Sequence, residues 1–238
     1  MSDSEMEIWL NKPKLIFTNT FGSSYTEASD KAQVVSDLVA GNVVEIVSEK
    51  GSFYEVKYPS GTTAFIKKDE AKLYPEWIKS LDPSEENLVN TSRSLMGLPY
   101  LWGGTSSKGV DCSGFTKTIY FLNGIVLPRD ASQQVHAGKL IDSTRNFEKL
   151  IPGDLLFFGR KATDSTSEKV VHVGMWIGDK QFIHSLGNVH ISTTDTTAAD
   201  FDEYNYNRYL RTKRILPDSE KVIRLSQSDL YGKIDAQK

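Results

Sequence analysis

Along the first third of the chain, apolar and polar positions alternate in short runs. KLIFT, NVVEIV, FYEVKY and TTAFIK, between residues 14 and 74, are rich in Val, Ile, Phe, Tyr and Thr, the composition of strands. In FYEVKY, Tyr54, Val56 and Tyr58 share one face, and Glu55 and Lys57 share the other, the two-residue period of a half-buried strand. Pro59, Ser60 and Gly61 make a turn between two such runs. Several short strands in so short a span predict a small β-barrel over residues 14–75, behind a linker-like segment, residues 1–13.

The period then becomes helical. Asp82-Pro83-Ser84-Glu85 reads as a helix start, with Asp82 as N-cap, Pro83 at the first helical position and Glu85 closing a capping box. Leu88, Ser92, Leu95 and Met96 give one less polar stripe, which Gly97-Leu98-Pro99 ends. A second helix is predicted from Asp111, with Phe115, Ile119 and Leu122 on one face and Asn123-Gly124 stopping it. Past Gly153 the strand signals return. DLLFFG is a compact apolar strand, VVHVGMWIG and QFIHSLG form a hairpin around Gly178-Asp179-Lys180, and RYLRTKRIL is a further strand. Helices followed by strands predict an α+β domain over residues 76–216, with residues 75–81 as the junction between the two domains. Residues 217–238 carry little periodicity and read as a loosely packed extension.

Composition narrows the function classes. The 238 residues, 39% hydrophobic and 25% charged, suffice for two cores. Net charge is −3 and no block of five or six like charges occurs, so no nucleic-acid surface is expected. No run of eighteen apolar residues predicts a transmembrane helix. The opening MSDSEMEIWLNKPK lacks the apolar core of a secretory signal. That is compatible with a cytoplasmic protein, or with a mature or trimmed chain in the cell envelope or periplasm.

A single cysteine, Cys112 in GVDCSGF, rules out an intramolecular disulfide. Free cysteine is usually a small apolar filler. Here it falls in the first turn of the helix predicted from Asp111, where unpaired N–H groups and the macrodipole favour a thiolate. A base is still required. Of four histidines, His172 and His184 lie in the two arms of the predicted hairpin. A three-residue loop, Gly178 to Lys180, makes them diagonal neighbours on one face, whereas a two-residue loop separates them unless a bulge intervenes. The shared face is the expectation. Cys112, His172 and His184 can then supply nucleophile, base and orienting group. His136 and His190 show no comparable context. A zinc site on the same trio lacks a fourth ligand and any CxxC or HxxxH pair, so neither metal nor cofactor is expected.

PYLWGGTSSKGVDCSGF, followed by LPRDASQQ, PGDLLFFG, VHVGMWIG and FIHS, resembles the NlpC family of papain-like cell-wall cysteine peptidases over residues 84–216. The preceding strands resemble the bacterial SH3-like domains joined to its γ-D-glutamyl–diamino-acid endopeptidases, the dipeptidyl-peptidase VI type. The resemblance implies a fold of helices packed on an antiparallel sheet, behind a small SH3-like barrel. It also implies hydrolysis of murein stem peptides or peptidoglycan fragments without a cofactor. In those terms Cys112 is the nucleophile, His172 the general base, His184 its orienting group and Tyr100 an oxyanion donor beside the Cys112 N–H. Asp130 and Ser113 would hold the free amine of an N-terminal L-Ala, and Trp102 would line the cleft, although packing is the simpler expectation for Trp102 and Trp176. Relatives often carry a second SH3-like domain and a small hydroxyl where Ala131 stands; here one module is visible, as in a naturally short form or a fragment. Rival functions with the same Cys–His machinery are an N-acetylmuramoyl amidase or an acyltransferase. A non-catalytic wall-binding protein is the non-enzyme alternative.

Overall fold

The computed structural model describes residues 3–215, 219–229 and 231. The chain forms two compact units, residues up to Leu81 together with those from Arg224 onward, and residues Asp82–Ile223. The break after residue 81 falls at the end of the junction expected over residues 75–81 and past the expected edge at 75/76, and between the two the apolar side of a short helix, α2 (Tyr74–Lys79), is buried: Tyr74, Trp77 and Ile78. The segment from 217 was expected to be loose, and Pro217, Asp218, Leu230 and residues 232–238 lie outside the described residues. Leu225, however, is fully buried and opens a single helical turn, Leu225–Gln227.

In the first unit, helix α1 (Asp3–Leu10) replaces the expected linker. Lys14 accounts for it. Its Nζ donates to the carbonyls of Trp9, Leu10 and Lys12 at 2.5, 3.1 and 2.8 Å, satisfying the helix's C-terminal acceptors. Burial pulls that amine's pKa down to about 8, against the opposing charge of Glu45. Seven strands follow: β1 (Lys14–Phe17), β2 (Phe21–Tyr25), β3 (Val34–Val39), β4 (Val43–Lys50), β5 (Phe53–Lys57), β6 (Thr63–Lys67) and β7 (Ala71–Leu73). They form one antiparallel sheet in the order β3-β2-β6-β5-β4-β1-β7. Among the described residues this order is open, with β3 and β7 at its edges, so closure into the expected barrel is not seen. Leu15, Phe17, Val44, Val56 and Ile66 make its core.

The second unit begins with α3 (Glu85–Ser94), capped by Ser84 and not by Asp82. Asp82 instead accepts from the Asn87 side chain at 3.2 Å. Leu88, Ser92 and Leu95 are buried, while Met96, past the helix end, is exposed. Next come the short strands β8 (Thr105–Ser106) and β9 (Gly109–Val110), α4 (Cys112–Leu122), β10 (Ile125–Val126) and α5 (Ala131–Gln134). A six-stranded antiparallel sheet follows, from β11 (Lys139–Asp142), β12 (Leu155–Arg160), β13 (Lys169–Gly178), β14 (Gln181–Leu186) and β15 (Asn188–Thr193), with α6 (Glu203–Asn207) preceding β16 (Tyr209–Arg214). Its order is β11-β16-β12-β13-β14-β15. Leu155, Phe157, Val173, Met175 and Ile183 meet Phe115 and Ile119 of α4 in one core cluster, and Leu156, Phe158, Trp176, Phe182 and Tyr209 form a second. Burial on both faces explains why LLFFG and HVGMWI read as continuous apolar runs. No described helix is long and apolar enough to cross a membrane.

Candidate active site

Cys112 opens α4 behind its N-cap, Asp111, whose Oδ1 accepts from the Gly114 N–H at 2.6 Å. Gly114 is required: a Cβ there would stand 1.9 Å from the Gly104 carbonyl oxygen. Asp111 Oδ2 also accepts from the Gly103 N–H at 3.0 Å, tying the PYLWGG loop to the helix start. Arg129 closes the arrangement with two bonds to the same carboxylate, Nη2 to Oδ2 at 2.6 Å and Nη1 to Oδ1 at 3.2 Å. Burial pushes the Asp111 carboxyl up, but Arg129 and the Gly114 and Gly103 amides outweigh it and hold it below the usual carboxylate value.

The helix start alone predicts a thiol of lowered pKa, and the opposite holds. Burial is the largest influence on Cys112 and pushes the thiol up. The Val173 N–H pulls it down, the Asp111 carboxylate pushes it up again, and the Ser113 and Cys112 amides pull it down; the net direction is upward. Among these influences, the Val173 N–H comes from β13, one residue beyond His172.

His172 and His184 meet: Nε2 of His172 lies 2.8 Å from Nδ1 of His184, both rings buried. The route differs from the expected three-residue loop. Gly178 pairs with Gln181, leaving a two-residue turn, Asp179-Lys180, with both residues at positive φ (49° and 58°). A register shift between Trp176 and Gly178 restores the shared face. Gly174 sits across from His184; a Cβ on it would come within 2.9 Å of Phe182 and 3.2 Å of His184 Cβ. Burial, with the Arg208 guanidinium, lowers the His172 pKa to about 4 against an opposing pull from Asp202. Burial, then the charges of His172 and His190, lowers His184 to about 2. Both rings are neutral near pH 7.

His190, given no role above, pairs in register with His184, ring centroids 4.4 Å apart. Ser192 Oγ lies 3.0 Å from His184 Nε2, and Asp202 Oδ2 lies 3.9 Å from the same nitrogen. The two-residue strand period from His190 to Ser192 would have found Ser192; Asp202 had no local signal.

Tyr100 lies close enough to Cys112 and Asp111 to feel their charge. Its N–H donates to the Gly187 carbonyl at 2.9 Å, it bridges to Val110, and burial with the negative charges of Cys112 and Asp111 raises its phenol pKa. Ser113 and Asp130 both meet Arg129, whose Nη1 lies 3.1 Å from Ser113 Oγ and 3.9 Å from Asp130 Oδ1. Ser113 is buried, and its hydroxyl donates to Asp111 Oδ1 at 3.2 Å while accepting from Arg129 at 3.1 Å. Asp130 is exposed, 3.9 Å from Arg129. Trp102, for which packing was the simpler expectation, is 86% exposed, whereas Trp176 is buried and stacked on Phe147. Arg129, in the LPRDAS motif, carries no sequence signal for its bonds to Asp111. The same holds for Gln134: fully buried, it donates to the carbonyls of Ser113 and Pro128, both at 3.0 Å. Among the described residues, no three His, Cys, Asp or Glu side chains are grouped as metal ligands.

This architecture, a cysteine-bearing helix against an antiparallel sheet that carries a histidine pair, recurs in known proteins. The NlpC/P60 family pattern matches residues 97–211. A γ-D-glutamyl-L-lysine dipeptidyl-peptidase of Bacillus cereus is 37% identical over 175 residues, 74% of this chain and 50% of the relative. A probable endopeptidase NlpC homolog of Haemophilus influenzae is 32% identical over 178 residues, 74% of this chain and 77% of the relative. The crystal structure of an NlpC/P60 family protein from Bacillus cereus superposes with a TM-score of 0.72 at 32% identity, covering 91% of this chain and 68% of that one. The chain belongs to the NlpC/P60 family. It spans about half the length of the Bacillus cereus dipeptidyl-peptidase.

Proposed function

We propose that the protein is a cysteine peptidase that hydrolyses the γ-D-glutamyl–diamino-acid bond of murein stem peptides bearing a free N-terminal L-Ala. The observation that carries this reading is the 2.8 Å contact between His172 on β13 and His184 on β14, with the amide of Val173, the residue after His172, acting on the Cys112 thiol. Similarity to a γ-D-glutamyl-L-lysine dipeptidyl-peptidase supports the substrate class. A papain-like second unit preceded by an SH3-like module, curled at the register shifts in β2–β3 and β4–β5, belongs to the same proposal.

His184 occupies Nε2 of His172, so Nδ1 is the nitrogen left for proton exchange. Cys112 passes its proton to Nδ1 as sulfur bonds to the γ-carbonyl carbon of D-Glu. The Cys112 N–H and the Tyr100 hydroxyl hold the oxyanion. The C–N bond then breaks and His172 returns the proton to the leaving amine. Water attacks the thioester, giving one proton to His172; the C–S bond breaks and that proton returns to sulfur. A thiol raised by burial makes this a transfer within a neutral pair, not attack by a resting thiolate. Asp130 offers an exposed carboxylate for the substrate ammonium, and Trp102 an exposed ring at the rim.

Mass spectrometry of products from free and N-acetylated L-Ala-γ-D-Glu-diaminopimelate tests the bond and the amine requirement together. Release of free diaminopimelate from the free peptide only, lost in Cys112→Ala, is expected. Release of intact peptide from a muropeptide sugar, with no tripeptide cleavage, would favour the amidase reading.

A further inference from the structure

A base is useful only in the right tautomer, and His172 cannot select its own. For Nδ1 of neutral His172 to accept a thiol proton, its Nε2 must carry hydrogen. That hydrogen points at His184 Nδ1, 2.8 Å away, which must then be a bare acceptor. The proton of His184 is thereby forced onto Nε2, which has two neighbours, Ser192 Oγ at 3.0 Å and Asp202 Oδ2 at 3.9 Å. If Ser192 instead donated to Nε2, the order would reverse. His184 would carry Nδ1–H, His172 would be protonated on Nδ1, and the site would hold no base. The hydroxyl alone can take either part; the carboxylate cannot, because negative charge beside Nε2 favours a proton there.

We propose that Ser192 and Asp202 are positioning residues, which together fix His184 as the Nε2–H tautomer and so keep Nδ1 of His172 free to accept a proton. The assignment rests on the peptidase reading for its purpose, but not for its geometry.

The fold holds both residues in place. Ser192 lies in β15, two residues beyond His190, the residue opposite His184. Asp202 caps α6, accepting from the Asn205 N–H at 3.0 Å and the Asn205 side chain at 2.6 Å, while its own N–H donates to the Thr193 carbonyl at 3.1 Å. The charged or titratable groups around the histidine pair are Asp202, His190 on β15 and Arg208 at the end of α6. Phe158 and Phe182 contact the rings from β12 and β14. Asp202 is the anionic member of the set, and its charge opposes both Arg208 and burial in their effect on His172. When His172 becomes imidazolium, the same carboxylate balances the new charge through the intervening ring, as an orienting acid one residue further out than usual.

The test has two parts. Histidine-¹⁵N-labelled protein at pH 7, read by long-range ¹H–¹⁵N correlation, is expected to show His172 and His184 both protonated at Nε2 and bare at Nδ1. A proton on Nδ1 of His184 overturns the proposal. Next, Asp202→Asn, which preserves the helix cap, and Ser192→Val are compared with Ser192→Thr, which restores the hydroxyl in a β-compatible shape. The rate of Cys112 alkylation by iodoacetamide at neutral pH is expected to fall about tenfold in the first two, the usual scale for loss of an outer hydrogen-bond partner, and to stay near wild type in Ser192→Thr. Equal rates in all four proteins overturn it. Neither readout uses a peptide, so failure of tripeptide cleavage with both results intact would strike the substrate reading alone.

Discussion

At the scale of single residues, the site is governed by burial. Cys112 and His172 are both pushed toward their neutral forms, the thiol upward and the imidazole down to about 4. This sets the sign of the pH response. A depressed imidazole stays unprotonated, and so able to act as a base, far below the ordinary value of about 6.5. kcat/KM for the tripeptide is therefore expected to hold from neutrality down to about pH 5 and to fall as pH drops through about 4. On the alkaline side, activity persists until the raised thiol loses the proton that the leaving amine needs. Steady-state rates from pH 3.5 to 10 check this; an acid limb centred near 6.5 would show that His172 is solvated. The motif residues Cys112, His172 and His184 were legible in the sequence because their neighbours repeat a known order. The direction of the thiol's shift was not, since it depends on side chains brought over α4 from distant segments.

At the scale of elements, the hairpin β13–β14 decides whether His172 and His184 meet, as the proposed mechanism requires. A two-residue turn alone would put His172 and His184 on opposite faces; the register shift beside Gly178 brings them back. Ser185 Oγ, donating to the Val110 carbonyl at 2.9 Å, ties β14 to the strand that leads into Cys112. Gly174 leaves the space that the Phe182 ring and the His184 Cβ need. Gly174→Ala is expected to lower kcat about 10- to 100-fold through displacement of the His184 side chain, with KM altered far less. Steady-state kinetics on folded variant protein measures it, and a wild-type kcat would mean that the strand pair yields without moving His184. His172 and His184 share the face expected from the sequence, but through a two-residue turn and a register shift, not a three-residue loop. Bulges leave no mark in composition, so a residue count could not separate the two routes.

At the scale of the whole molecule, burying neutral histidines ties stability to acid. His172 falls from 6.5 unfolded to about 4 folded, so below pH 6.5 the unfolded chain binds the extra proton and stability declines as pH falls. The loss from His172 alone is about 3 kcal/mol by pH 4, and His184, lowered to about 2, acts in the same direction. Urea unfolding at pH 7, 5.5 and 4 is expected to show this decline, and to show it reduced in His172→Gln. A flat profile would mean that the histidines are accessible in the folded state. Boundaries belong to this scale as well. α2 and Leu225 group with the first unit because apolar residues in each are buried there, through contacts between segments far apart in the chain.

What the sequence determined by itself is whatever backbone periodicity and short-range chemistry control. The strands of FYEVKY and TTAFIK, the stripe of Phe115 and Ile119, the Asp111 cap and the order of motifs around Cys112 all follow from residues within a few positions of one another. Only the tertiary structure decided which groups desolvate the thiol, that Ser113 is taken up by Asp111 and Arg129, and that Ser192 and Asp202 stand behind His184. The physical reason is range. Hydrogen bonding along a strand or helix turn acts between near neighbours, whereas burial and charge act through space between segments that the chain keeps far apart.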